Sequence, residues 1–186
     1  MAYLTSLNGK ISDTETRIAR LDASTNSIQT VNYRHHEIHS GSHYFASGFD
    51  TGLGNGDTVE FVFTTPNTTT WIHMLFNFTF ALGGNMIVYE GASGITGGTT
   101  LTPVNNNRNS TNTSASTVVK DPTSITSDGT PIAAYQAGAN KSSGFAAQNE
   151  EIVLKQNEIY LFRFTSTATG NSLSYTGEWY EHTDKD

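Results

Sequence analysis

Residues 71–80 read Trp71-Ile72-His73-Met74-Leu75-Phe76-Asn77-Phe78-Thr79-Phe80. Every second residue from Ile72 to Phe80 is apolar, whereas the residues between them are mixed in character. Successive side chains of a strand point to opposite faces. The alternation therefore predicts a long strand with one face buried in a core.

The same period of two recurs on both sides of this stretch. It is seen in Val59, Phe61 and Phe63, in Tyr160, Phe162 and Phe164, and in Leu173, Tyr175 and Trp179. Further strands are predicted at residues 32–38, 43–49, 86–89, 118–119 and 132–135. About eight short strands with turn signals and no helices between them predict an all-β fold, specifically a jelly-roll-like β-sandwich.

The first 30 residues follow a different spacing. Apolar residues and threonines recur at intervals that alternate between three and four, which is a heptad pattern. Its apolar members are Leu4, Leu7, Ile11, Ile18, Leu21 and Ile28. Residues 1–30 are therefore predicted to form a short α-helical arm for oligomerisation or docking, and residues 31–186 to form the β-sandwich body. A single amphipathic helix packed on its own domain, or a frayed tail, is the alternative.

Composition excludes several classes of function. The 186-residue chain has a formal net charge of −7 and only 15% charged residues. It has no basic stripe, so a nucleic-acid partner is not expected. No run approaches the ~20 apolar residues of a membrane helix, so no membrane partner is expected either. The absence of cysteine excludes disulfides and thiolate nucleophiles.

Three residues after the heptads form a candidate metal site. On the predicted strand, His35, Glu37 and His39 share one face, with about 7 Å between alternate side chains. Two imidazoles and a carboxylate suit zinc, nickel or iron, but this spacing requires several subunits to converge on a symmetry axis. The alternative is a polar strand whose histidines bond to backbone or acidic neighbours. No other cofactor is expected.

Signatures of catalytic machinery are missing. The sequence has no Gly-x-Ser-x-Gly elbow, no phosphate-binding glycine loop and no His-Glu-x-x-His motif. Four scattered carboxylates leave a glycosidase pair as an alternative: Glu60, Glu90, Glu178 and Glu181. His73 is interpreted as a satisfied, partly buried histidine rather than a ligand or a base. The chain is therefore predicted not to be an enzyme.

Several strings between residues 35 and 185 resemble a family of tailed-phage virion proteins. They are His35-His36-Glu37-Ile38-His39-Ser40-Gly41, Thr65-Pro66-Asn67-Thr68-Thr69-Thr70-Trp71-Ile72-His73-Met74, Tyr89-Glu90-Gly91-Ala92, Leu101-Thr102-Pro103, Leu154-Lys155-Gln156-Asn157-Glu158-Ile159-Tyr160-Leu161 and Trp179-Tyr180-Glu181-His182-Thr183-Asp184-Lys185. This family is similar to the small auxiliary proteins that decorate or cement phage heads. The resemblance implies a homo-oligomer, usually a trimer, that binds the major capsid protein. It also implies a location in the virion, with assembly in the host cytoplasm, and it carries over no catalytic residues.

The main alternative is a receptor-binding or fibre protein. In that case the heptads form a trimeric stem, and the β domain reads a host glycan with aromatic residues such as Trp179 and Tyr180. A tailspike built of repeated coils is not expected, because the sequence has no fixed-period repeat. The polar, low-complexity residues 105–113 are predicted to be an exposed loop in either case.

Overall fold

The computed structural model describes residues 6–12, 15–20, 32–138, 144–147 and 151–183. Contacts divide the chain into two compact units, Met1–His36 and Glu37–Asp186. The second unit contains the predicted all-β body. Within the described residues it is built from two antiparallel sheets packed face to face.

The first unit contains a two-stranded antiparallel ribbon where a helix is predicted. Strand β1 (Ser6–Ser12) pairs with β2 (Glu15–Arg20), and Asn8 lies opposite Ile18. The helix prediction is therefore wrong over these residues. The three–four spacing identified apolar positions, but glycine, serine and threonine around them are weak helix formers. Leu7 and Ile11 lie on β1 and Ile18 on β2, whereas Leu4, Leu21 and Ile28 lie outside the described residues.

Helix α1 (Tyr33–Ser40) replaces the strand predicted at residues 32–38. Asn32 begins the helix, because its side-chain oxygen accepts a hydrogen bond from the Arg34 amide at 2.9 Å. Gly41 ends it with a φ of 77°, a left-handed conformation that favours glycine. The strand prediction is wrong because these two capping residues outweigh a weak alternation of polar side chains.

The remaining described elements are strands. They are β3 (His43–Leu53), β4 (Thr58–Thr64), β5 (Thr70–Phe80), β6 (Gly84–Glu90), β7 (Thr99–Leu101), β8 (Val104–Asn105), β9 (Thr117–Lys120), β10 (Thr130–Ala137), β11 (Gly144–Ala147), β12 (Ile152–Leu154), β13 (Ile159–Ser166) and β14 (Asn171–Thr183). Sheet I has the order β10-β6-β13-β4-β9-β7. Sheet II has the order β11-β5-β14-β3-β8, and β12 also pairs with β5. Every pairing between these strands is antiparallel.

The core lies between the two sheets and is rich in aromatic rings. Phe61 of sheet I meets Phe76 of sheet II edge to face at 5.2 Å, and Phe162 stacks on Phe76 at 4.6 Å. The predicted inward face of β5 is confirmed, because its five members are at most 2% exposed: Ile72, Met74, Phe76, Phe78 and Phe80. Period-two alternation thus identified the buried face correctly.

Gly177 shows how tightly this core is filled. A Cβ at this position would lie 3.0 Å from the Phe76 ring and 3.2 Å from the Phe61 ring. Because Gly177 has no side chain, the two phenylalanine rings can approach the backbone of the central strand β14.

Candidate functional site

The outer face of sheet I is covered by its own chain. Two excursions, residues 91–98 and 121–129, join through the bridges Ser93–Ser127 and Thr96–Ser124. Ile95 and Ile125 from these excursions pack on a small cluster that contains Leu161. The part of this face around Leu161 is therefore covered by the chain itself.

A charged network holds the second excursion in place. Arg163 donates to Glu60 at 2.8 Å and to both carboxylate oxygens of Asp128. Its guanidinium also lies 5.6 Å from the centre of the Tyr89 ring. Hydrogen bonds from Arg163 lower the pKa of Asp128, and the same bonds raise the pKa of Arg163. The network acts as an anchor, since each of these charges is paired within the chain.

The outer face of sheet II has a different character. We call its central part the open face; it comprises Ser47, Phe49, Leu75, Asn77, Thr79, Ser174, Thr176 and Glu178. Phe49 is 66% exposed, although it is a large apolar residue. A shallow depression beside it is lined by Asn77, Thr79, Ser174 and Thr176. Glu178 is the one ionisable member of this set, so the open face is nearly uncharged.

Beyond Glu178 the same face of sheet II carries a cluster of histidine, tyrosine and glutamate. Tyr180 of β14 lies directly opposite His73 of β5, and His182 lies opposite Trp71. The phenol ring of Tyr180 stacks on His73 at 4.6 Å and on His43 at 6.2 Å. Tyr180 is only 3% exposed in this stack, although it points away from the core.

Hydrogen bonds fix the orientation of both imidazole rings in the cluster. His73 Nδ1 contacts the Glu151 carboxylate, which also accepts a hydrogen bond from the Tyr180 hydroxyl at 2.6 Å. His182 Nδ1 lies 2.9 Å from the carbonyl oxygen of Thr183. The two Nε2 atoms, one from His73 and one from His182, face each other at 2.9 Å. The cluster therefore orients two imidazole nitrogens towards a common point.

The residues of the predicted metal site are distributed differently from the prediction. Helical spacing places His35 and His39 on one side of α1 and Glu37 on the opposite side. Glu37 is 2% exposed and accepts hydrogen bonds from the hydroxyls of Ser40 and Ser42. The predicted shared strand face is therefore wrong. In the part of the chain that the structure describes, no group of three or more histidine, cysteine, aspartate or glutamate residues is arranged to hold a metal ion.

Of the carboxylates considered for catalysis, Glu60, Glu90 and Glu181 hold parts of the fold together. Glu60 accepts from Arg163, as described above. Glu90 accepts from Lys155 Nζ at 2.6 Å and from the Tyr160 hydroxyl at 2.9 Å, and the Lys155 bond lowers its pKa. Glu181 accepts from Ser116 Oγ at 3.0 Å. Glu178 lies on the open face. These contacts give three of the carboxylates a role in holding strands and loops together.

The sequence interpretation of His73 as a partly buried histidine with satisfied hydrogen bonds is confirmed. His73 is partly buried, with 18% of its side-chain surface exposed, and it has hydrogen-bond partners. The sequence did not indicate that His182 and Glu151 would be those partners, because strand pairing and not chain position brings them together. The sequence did contain one signal for this cluster: Tyr180 and His182 are two positions apart, so they share a face if they lie on a strand.

No protein-family model, curated protein or solved structure matches this chain. Within the described ranges, no helix combines the length and the apolar character required to cross a membrane.

Proposed function

We propose that this chain is a structural protein of a tailed-phage virion, a decoration or cement protein that binds the major capsid protein on the head. It acts without catalysis, as a homo-oligomer that we expect to be a trimer. The resemblance of residues 35–185 to auxiliary head proteins favours this role. The observation that carries the proposal is the open face of sheet II.

The open face has the chemistry of a surface that docks on another protein. Its serine, threonine and asparagine side chains are short, and Glu178 is its one ionisable member. Covering such a surface removes few charges from water, and charge depletion is typical of the centre of protein interfaces. Phe49 supplies an exposed aromatic anchor of the kind that contributes most to binding.

Strand order supports a jelly-roll topology for the body. Eight strands form the orders β3-β14-β5-β11 and β4-β13-β6-β10 across the two sheets. In sheet II, β3 and β5 pair with opposite edges of β14. In sheet I, β4 and β6 pair with opposite edges of β13. Two four-stranded sheets in this order are what the double Greek key of a jelly roll would produce, so the strand order supports the proposed topology. Strands β7, β8 and β9 then form an insertion between β6 and β10.

The proposed role is mechanical. Each attached oligomer would add buried area between neighbouring capsid subunits, which spreads the outward force of packaged DNA over more contacts. An interface of standard size, ~1,600 Å² in total, is sufficient for specific attachment. The N-terminal unit, residues 1–36, is proposed as the element for self-association or for additional docking.

Co-sedimentation with empty capsids assembled without this chain tests the proposal. We expect the purified protein to saturate the capsids in a fixed ratio. The double variant Ser47→Arg/Ser174→Arg should bind much more weakly, because it places two cations on the open face. Asn55→Arg/Asn67→Arg, in the exposed segments after β3 and β4, is the charge-matched control and should bind like the wild type.

Two results would overturn the proposal. The first is a stable monomer with no affinity for capsids. The second is specific binding to host glycans on an array with no binding to capsids, which would favour the receptor-binding alternative. Equal binding by the double variant and the control would instead show that another surface makes the attachment.

A further inference from the structure

We propose that His73 and His182 form a binding site for one divalent transition-metal ion, such as Zn²⁺, Ni²⁺ or Cu²⁺. The site lies on the outer face of sheet II, between strands β5 and β14. It is distinct from the histidines of α1. The inference rests on the geometry of the histidine cluster and does not depend on the proposed virion function.

The separation of the two imidazole nitrogens fits a shared ion. The Nε2 atoms of His73 and His182 are 2.9 Å apart. Two nitrogens at this separation, each about 2.05 Å from a metal, subtend an angle of about 90°, as in octahedral or square-planar coordination. Opening the pair to about 3.3 Å would give the tetrahedral angle that zinc prefers, which is a small shift for two side chains.

The hydrogen bonds at Nδ1 of the two histidines are of the kind found behind metal-binding histidines. A ligating imidazole usually donates its other N–H to a carboxylate or a backbone carbonyl, which sets the tautomer and the ring orientation. His73 Nδ1 meets the carboxylate of Glu151, and His182 Nδ1 meets the carbonyl oxygen of Thr183. An ionised carboxylate and a carbonyl oxygen only accept hydrogen bonds, so both Nδ1 atoms carry the hydrogen. The two Nε2 atoms are within hydrogen-bond distance of each other, so a bound ion would replace the proton shared between them and release it to solvent.

The supporting residues hold the two rings in place before any ion arrives. The ligands lie on adjacent paired strands in the middle of sheet II, not on loops. Tyr180 stacks on His73 at 4.6 Å and donates to Glu151 at 2.6 Å, so it braces both the ligand and its carboxylate partner. A rigid scaffold of this kind lowers the entropic cost of binding.

The donor set determines which ions the site would take. Imidazole nitrogens suit zinc, copper and nickel, whereas magnesium and calcium prefer oxygen ligands. The structure provides two nitrogen ligands, and no third histidine, cysteine, aspartate or glutamate completes a group with them among the described residues. Water, or a donor from another molecule, would complete the coordination shell.

Isothermal titration calorimetry on untagged protein tests the site. Because His35 and His39 share one side of α1, the starting protein should be the double variant His35→Ala/His39→Ala. We expect one equivalent of ZnCl₂ or NiCl₂ to bind per chain, and MgCl₂ to give no binding. In this background, His182→Gln and His73→Gln should each weaken zinc binding at least tenfold.

Two further measurements separate ligation from a structural effect. Glu151→Gln should weaken zinc binding about tenfold without changing the stoichiometry, because it removes a carboxylate behind one ligand and leaves both ligands in place. Trp71, 38% exposed and opposite His182, is a local reporter whose fluorescence bound Cu²⁺ should quench. Trp71→Phe should abolish that part of the quenching.

The proposal is overturned if the double-variant background binds no zinc or nickel at millimolar concentration. It is also overturned if His182→Gln, with the circular dichroism spectrum of the parent, binds zinc as tightly as the parent does. If His73→Gln fails to fold, His182→Gln alone decides, because His182 is a half-buried residue near the end of β14.

Discussion

The buried indole of Trp179 donates a hydrogen bond through Nε1 to Oε1 of Glu181 at 3.0 Å. The same carboxylate accepts from the Ser114 hydroxyl at 2.5 Å and from the Ala115 amide at 2.9 Å. One carboxylate therefore connects the aromatic core to the end of a long polar segment. The segment is also held at its start, where Asn105 is 7% exposed and donates to the Gly41 carbonyl at 2.8 Å. The prediction that residues 105–113 form an exposed loop is thus wrong for Asn105.

Replacing Glu181 with alanine should release the segment around Ser114. The Trp179 indole would lose its acceptor at 3.0 Å and keep only the Ser114 hydroxyl at 3.3 Å, and a buried donor left without a good acceptor costs about 1–3 kcal/mol. We expect a lower free energy of unfolding in urea and faster hydrogen exchange at residues 114–116. Glu178→Ala, which removes a carboxylate from the open face of the same strand, is the control. Equal exchange rates in both variants would contradict the assigned role of Glu181.

Two buried tyrosines should respond in opposite ways to replacement by phenylalanine. The Tyr175 hydroxyl has no hydrogen-bond partner among the described residues, whereas the Tyr160 hydroxyl accepts from the Lys155 amide and donates to Glu90. Tyr175→Phe should leave the free energy of unfolding unchanged or raise it, because it removes an unpaired polar group. Tyr160→Phe should lower it by about 1–3 kcal/mol. Urea denaturation compares the two, and a larger loss for Tyr175→Phe would contradict the assignment.

The stability of the body should fall in acid, in part through Asp128. Hydrogen bonds from Arg163 hold the pKa of Asp128 below its ordinary value. The unfolded chain therefore binds a proton first as the pH falls below about 4. The Asp128–Arg163 pair therefore contributes to the free energy of unfolding above that pH. This contribution is lost as the pH falls through the pKa that Asp128 has in the folded protein. Melting temperatures measured between pH 6 and pH 2 should decline less steeply for Asp128→Asn than for the wild type. Parallel curves would show that the pair contributes little.

Substitutions in the N-terminal unit should separate association from folding. In the triple variant Ile11→Ser/Ile18→Ser/Leu21→Ser, apolar residues of the predicted contact surface become polar. We expect a smaller oligomer by size-exclusion chromatography with light scattering, because apolar burial drives most subunit association. The far-ultraviolet circular dichroism spectrum of the β body should be retained. An unchanged oligomer would show that these residues are not the association surface.

Strands with a strong alternation of apolar and polar residues were predictable. Residues 43–49, 86–89, 118–119 and 132–135 all fall within observed strands, as do the stretches around Phe61, Phe76 and Phe162. Burial on one face imposes this period wherever a strand covers a core. The four short elements at residues 99–101, 104–105, 144–147 and 152–154 were not predicted, since two to four residues are too few to show a period.

The N-terminal errors have a different physical origin. Spacing alone indicated a helix at residues 1–30, and alternation alone indicated a strand at residues 32–38. In the first case the structure has paired strands at Ser6–Ser12 and Glu15–Arg20, and in the second a helix bounded by Asn32 and Gly41. The first error arises because glycine, serine and threonine around the apolar positions are weak helix formers. The second arises because the alternating residues are mostly polar, so the capping residues decide the structure.

By itself the sequence determined which side of each long strand faces the core, because burial requires apolar side chains at every second position. Only the tertiary structure decided which outward residues meet. His73 and His182 are 109 positions apart and become neighbours because β5 pairs with β14. Glu151, the residue before β12, contacts His73 from a third segment of the chain. Strand order and register follow from packing the whole chain, so the sites on the outer face of sheet II exist only once both sheets have formed.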